Sequence, residues 1–281
     1  MFSYIKRIEG KSREGRRQEI KNILNELSVP FSIQRFWHTY LLKNGENIIV
    51  DFLSKENDES KKIVVCAHYD AWGQSPGAND NASAIVVMMA LIERLRHTEI
   101  HKYALRFAFF DFEESLFLYH AGSLKYIAEY GLHNVDRIYN LELVGAGNAF
   151  LLWPVKDAQL KEDYIADVLK IIQSSNFEFK VSNSIPFYLT SEHKSFLKRG
   201  FQRVCTITTF HKEDFVFEEI MEKRPLRFLF SVLYQHLTGR GNVPAILKRY
   251  HNEFDRSEFV QATTLQNIFL VLWQTIQTLT R

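Results

Sequence analysis

Residues Lys61 to Ala67 form a β-favouring apolar run that ends in His68-Tyr69-Asp70, and shortly afterwards Gly77-Ala78-Asn79-Asp80-Asn81-Ala82-Ser83 opens a second apolar stretch from Ala82 to Leu95. The first run has the length and branching of a buried strand. The second is apolar on nearly every side until Glu93 and Arg94, as a largely buried helix must be. A strand ending in His-x-Asp, joined to an acidic turn that starts a buried helix, is how a metal site is built on an α/β sheet. In open sheets of that kind, ligand sites form where loops gather at the carboxyl ends of the strands.

The remaining pattern alternates in the same way. Ile20, Ile23, Leu24 and Leu27 recur at helical spacing within residues 12–28, and Pro30 closes that segment. Asn47 to Leu53 and Lys61 to Ala67 read as strands across the polar turn Lys55 to Ser60, a hairpin-like arrangement. Further strands are expected at Ala104 to Phe110, Arg137 to Val144, Ala149 to Trp153, Ile185 to Leu189 and Arg203 to Thr208. Helices are expected after Gly122 to about Tyr130, near 159–175 and 192–199, and at the end of the chain, where Leu265, Ile268, Phe269, Leu272, Ile276 and Leu279 form one stripe. With no repeat and no linker-like stretch, residues 1–281 are expected to form one three-layer α/β/α domain around a mixed, mostly parallel sheet.

Thirty-five basic residues against 33 acidic ones give no overall footprint for nucleic acid or an anionic membrane, and neither partner is expected. The basic cluster Lys6, Arg7, Lys11, Arg13, Arg16 and Arg17 is interleaved with Glu9, Glu14 and Glu19 and reads as a solvated helix face. No run approaches the ~20 apolar residues of a membrane span, and no signal-peptide core is seen near the start, so a cytoplasmic protein is expected. Cys66 and Cys205, each inside an apolar run, read as reduced core residues.

His68/Asp70, Asp80, Glu113/Glu114 and Glu142 all fall at expected strand ends, and Tyr250-His251-Asn252-Glu253-Phe254-Asp255 precedes the final helix. Histidine nitrogen and carboxylate oxygen are ligands that zinc accepts, while the lack of a cysteine set excludes a zinc knuckle. A ligating imidazole needs a carboxylate on its other nitrogen, and Asp70 and Asp255 are the candidates for that role. Singly each piece has a plainer reading: a His-x-Asp surface pair, a solvated Glu113-Glu114 turn, or Asp80 as a helix cap. Adjacent carboxylates serve one site only where a strand gives way to loop, which is where Glu113 and Glu114 fall.

Taken in order, Ala67-His68-Tyr69-Asp70, Gly77 to Ser83, Phe112-Glu113-Glu114 with Gly122-Ser123, Asn140-Leu141-Glu142-Leu143-Val144-Gly145 and Tyr250-His251 with Asp255 resemble the zinc-dependent aminopeptidase family, which also contains transferrin-receptor-like carboxypeptidases and the glutaminyl cyclases. The resemblance implies two zinc ions. His68, Asp80 and Glu142 would hold one, and Asp80, Glu114 and His251 the other, with Asp80 bridging. It implies a peptide substrate that loses its first residue to a zinc-activated water, Glu113 as general base, and Tyr250 as donor to the oxyanion. Ser191-Glu192-His193 is similar to a Ser-Asp-His segment near the family's substrate pocket, so Glu192 and His193 are expected to bind substrate; His211 is a second candidate for the last metal ligand.

Two departures bear on that expectation. Glu142 stands where most of these aminopeptidases have aspartate, which predicts that one zinc is weakly held, and Glu192 likewise replaces an aspartate. The competing activity is that of a glutaminyl cyclase with a single zinc. Those enzymes have tryptophan where Tyr250 stands and serine where Asn81 stands, so both residues favour a peptidase. Phe187, Tyr188, Phe210, Phe215, Phe217 and Tyr250 lie near loops expected to wall the cleft and would favour an apolar first side chain, core packing being the equal alternative.

Overall fold

The computed structural model describes residues 2–56, 61–115, 120–183, 191–215, 224–238 and 240–280. Two helices, α1 (Phe2–Ile8) and α2 (Arg13–Glu26), precede the sheet. Ser12 caps α2 by accepting the Gly15 N–H at 3.1 Å, the local reason the helix starts there. The strands are β1 (Ser32–His38), β2 (Lys43–Phe52), β3 (Lys62–His68), β4 (Ala104–Phe110), β5 (Val135–Leu141), β6 (Ala149–Trp153), β7 (Glu178–Val181) and β8 (Val204–Phe210). Between them run α3 (Ser83–Leu95), α4 (Ala121–Tyr130), α5 (Asp163–Ser174) and α6 (His193–Lys198), and α7 (Pro225–Thr238) and α8 (Ala262–Thr280) follow.

Among the described residues eight strands form one sheet in the order β1-β2-β4-β3-β5-β8-β6-β7. Its centre, β4-β3-β5-β8, is parallel, while β1, β2 and the β6/β8 pair introduce antiparallel neighbours. Alternation of side chains along β3 sets the layers. Ile63, Val65 and Ala67 join the large core under α3, α5 and α8, whereas Val64 and Cys66 face a smaller core with Tyr126 of α4 and Phe196 of α6. The three-layer α/β/α architecture is thus the one expected.

The expected β2/β3 hairpin is corrected. Strand β4 lies between them, antiparallel to β2 and parallel to β3. A strand as apolar on both faces as β3 belongs at the sheet centre, and the hairpin partner of β2 is β1, whose mixed sequence gives little strand signal. The basic N-terminal cluster is also corrected at one position: Arg16 is fully buried. The expected strand from Ile185 to Leu189 lies outside the described residues.

Candidate metal centre

Strands β3, β4 and β5 lie in parallel register, His68 opposite Phe110 and Cys66 opposite Asn140, so their carboxyl ends open onto one edge. His68 is the last residue of β3, and Glu142 follows the last of β5. At the end of β4 the chain turns through Phe112 at φ 60°, and the backbone N–H groups of Glu113 and Glu114 both donate to the Asp70 carboxylate, at 3.1 and 3.0 Å. That turn takes two adjacent carboxylates out of strand geometry, where they would diverge. Leu143 at φ 53° and His251 at φ 59° are likewise left-handed, so three non-glycine residues in this sparse region adjoin or form the site.

Asp80 enters from the turn Ala78–Ala82 ahead of α3, and side chains of that turn lock it to the loop carrying Glu142. Asn79 Oδ1 accepts the Gly145 N–H at 2.7 Å, Ser83 Oγ accepts the Val144 N–H at 3.2 Å, and Asn81 Nδ2 donates to the Leu141 carbonyl at 2.9 Å. A Cβ at Gly145 would stand 2.8 Å from Asn79 Oδ1, so only glycine fits this close approach. From the other side, the buried Arg16 guanidinium donates to the carbonyls of Tyr69, Pro76 and Gly77 and so fixes the loop between His68 and Asp80.

Asp80 Oδ1 lies 3.2 Å from His68 Nε2 and its Oδ2 lies 3.4 Å from His251 Nε2. Glu142 Oε1 stands 3.5 Å from His68 Nε2, and Glu114 Oε1 stands 3.0 Å from His251 Nε2. Nitrogen and oxygen ligands about 2.1 Å from a tetrahedral zinc stand about 3.4 Å from each other, and these four separations lie near or a little below that value. Both Asp80 oxygens are buried without a hydrogen-bond partner, as acceptors reserved for a cation are. Two ligand groups result, His68/Asp80/Glu142 and Asp80/Glu114/His251, joined through Asp80, and a third possible group combines His68, Glu113 and Glu114. The donor set therefore fits zinc at two overlapping positions.

Electrostatics agree. His68 is held well above its ordinary pKa: burial opposes this, and Glu142 and Glu113 outweigh it. Burial followed by neighbouring carboxylates raises Glu113 and Glu114, while Asp80 is lowered because the two imidazoles overcome its burial. Such a concentration of carboxylates around two imidazoles leaves an excess of negative charge that divalent cations neutralise.

The residues around the ligands depart in part from expectation. Asp70 Oδ1 does lie 3.5 Å from His68 Nδ1, although its carboxylate chiefly holds Glu113 and Glu114. Asp255 acts elsewhere than on an imidazole: its oxygens accept the N–H groups of Asn79 and Asp80 at 2.8 and 2.9 Å. The His251 ring is instead fixed by stacking between Trp72 and Tyr250, with centroids 4.8 and 3.6 Å away.

Glu192 and His193 are both buried beside the site. His193 pairs with Thr206 Oγ1 at 2.9 Å, and Ser191 Oγ donates to Glu142 Oε2 at 2.6 Å, so one glutamate oxygen faces His68 and the other is tethered. Neither His193 nor His211 belongs to a metal-ligand group among the described residues. Phe210 and Phe215 pack in a small apolar cluster with Trp153 and Tyr250, which favours the core reading for them. Phe187, Tyr188 and Phe217 lie outside the described residues. Sequence reasoning missed His120, buried with Nδ1 3.3 Å from Glu113 Oε1; a lone histidine ahead of a helix carries no signal of its own.

The sequence profile described as Peptidase family M28 matches residues 47–276. The chain belongs to peptidase family M28. Over 103 residues it is 32% identical to aminopeptidase YwaD of Bacillus subtilis, a match covering 37% of this chain and 22% of that protein. The chain spans only 12% to 22% of the length of the curated relatives it matches. Among solved structures it is similar to the zinc aminopeptidase BSAP of Bacillus subtilis, with TM-score 0.62 and 20% identity over 84% of this chain and 50% of that one. It is also similar to glutaminyl cyclase of Porphyromonas gingivalis, with TM-score 0.71 and 15% identity over 99% and 96% of the two chains. For this M28 chain both likenesses show the shared fold.

Proposed function

We propose that this M28 chain is a two-zinc aminopeptidase whose catalytic unit spans residues 1–281, acting on peptides in the cytoplasm, where the unbridged Cys66 and Cys205 stay reduced. The observation that carries the reading is the division of Asp80, with one oxygen toward His68 and the other toward His251. A single-zinc cyclase needs only one of those positions.

Zinc bound by these residues would supply Lewis acidity at the scissile carbonyl and to the attacking water. Glu113, 4.0 Å from His68 Nε2, is the group left to move protons. Burial, only partly offset by His68, raises its carboxyl, and this suits a base that takes a proton from water and returns it to the departing amine. Tyr250 is pushed well above its ordinary pKa by burial and the nearby Glu114 and Asp80, so its hydroxyl keeps the proton it would donate to the oxyanion. Glu142 and Glu113 offer the negative charge that a free α-amine seeks. His120 Nδ1 stands 3.3 Å from the far oxygen of Glu113.

The test is to incubate zinc-reconstituted protein with short peptides beginning in leucine, alanine and glutamine and to follow the products by mass spectrometry. Release of the first residue is expected. Loss of ammonia from the glutamine peptide alone would assign a cyclase instead.

A further inference from the structure

Helix α7 packs through Val232 into the apolar cluster with Leu143, Trp153, Phe210, Val243 and Leu247, and Ser231 Oγ donates to the Asn242 carbonyl. Its outer side is unusual. Leu226, Phe230, Leu233 and Leu237 recur at spacings of four, three and four, one stripe of an α-helix, yet they are 71%, 68%, 48% and 80% exposed. Tyr234, beside the stripe, is 53% exposed. Side chains this far out stand above the surface instead of lining a groove.

Along the sequence of this helix and the loop after it the charge is one-sided, although Asp214 reaches the loop at the Ala245 N–H. From Arg224 to Asn252 the sequence has five basic residues, Arg224, Arg227, Arg240, Lys248 and Arg249, and no Asp or Glu. Of the chain's 35 basic residues these five leave 30, against 33 acidic, so the whole of the net positive charge resides in this segment. Arg224, Arg227, Arg240 and Lys248 are exposed, the first two at the start of the helix and Arg240 just past its end. The near-balance of charge over the whole chain, which suggested no membrane partner, averages this patch away.

We propose that α7 docks the protein on an anionic lipid surface, lying in the plane of the interface with Leu226, Phe230, Leu233 and Leu237 among the acyl chains and the flanking arginines on the headgroups. An amphipathic helix with a basic rim binds in this way without spanning, and no helix among the described residues is long and apolar enough to cross a membrane. A second copy of the chain fits the face poorly. Fourteen helical residues are about 21 Å long, and one stripe along them falls short of the about 800 Å² per partner that a stable interface buries. A two-fold pairing would also set the Arg224/Arg227 end of one helix against the Arg240 end of the other.

The experiment is co-sedimentation of the 281-residue chain with vesicles of phosphatidylcholine alone and of phosphatidylcholine with phosphatidylserine, and it is independent of the peptidase reading. Expected is at least tenfold stronger partitioning onto the phosphatidylserine vesicles, weakened by salt. The triple substitution Leu226→Ser, Phe230→Ser, Leu237→Ser and, separately, the pair Arg224→Ser, Arg227→Ser should each lower it about tenfold while leaving the melting temperature unchanged. Equal or absent binding to both vesicle types would overturn the proposal. So would a dimer in sedimentation equilibrium that the triple substitution abolishes, which gives the face to a second copy, or binding of poly-glutamate as tight as that of vesicles, which gives it to an acidic polymer.

Discussion

The Asp255 carboxylate accepts the backbone N–H of Asp80 at 2.9 Å, so the acid that faces both imidazoles is held from behind by one 175 positions further along the chain. The same carboxylate takes the Asn79 N–H at 2.8 Å, leaving the Asp80 side chain free of hydrogen bonds and turned into the site.

Asp255→Ala leaves every ligand in place but releases that turn. Zinc affinity is expected to fall about 10- to 100-fold, the usual cost of losing a group that orients a metal ligand. Competition against a fluorescent chelator measures it, and an unchanged affinity would mean the turn holds itself without Asp255.

Glu113→Gln separates the proposed base from the ligands. Peptide hydrolysis should drop by about 10²- to 10⁴-fold with zinc content unaltered. If the variant instead loses zinc in proportion to activity, Glu113 is a ligand, as its place with His68 and Glu114 in one of the three groups would allow.

Arg16→Met removes the guanidinium that donates to three buried carbonyls between His68 and Asp80. Hydrogen bonds from a charged donor contribute about 1.5–3 kcal/mol, and the orphaned carbonyls add to the loss, so destabilisation of about 3–5 kcal/mol is expected from urea unfolding. A change under about 1 kcal/mol would show that water replaces the arginine.

Glu192 titrates in a window that pH can probe. Its carboxyl is pushed up to about 8, first by burial and, against the pull of His68 and His120, by Glu113 and Glu142. An acid raised in the fold costs stability as pH climbs from its unfolded value, about 4.3, to the folded one. With chelator present, wild-type melting temperature should therefore fall across that window and Glu192→Gln should fall less, ending more stable at pH about 8 by at most a few kcal/mol. Parallel melting curves from acid to alkaline pH would place the burden on another group.

Much of the fold and site was legible because it rests on local rules. Strand β4 was expected at the residues where it lies, as was β6, since an unbroken apolar run bounded by turns has one reading. The candidate ligands His68, Asp80, Glu114, Glu142 and His251 stood at strand ends or loop motifs in a recognisable order, and the structure brings them together in two groups that could hold a metal ion. What stayed hidden involves pairs far apart in sequence. Strand β4 separating β2 from β3 depends on which edges meet, and period-2 alternation is blind to that.

The sequence by itself determined the alternating elements, the three layers and which residues are candidate metal ligands, because hydrophobic period and residue chemistry are written locally. Only the tertiary structure decided that Arg16 is a buried strut, that Asp255 supports Asp80 and not a histidine, that His120 reaches Glu113, and that α7 keeps its apolar stripe outside. Each of those outcomes depends on what a side chain meets across the fold, and burial and partnership are properties of the packed chain.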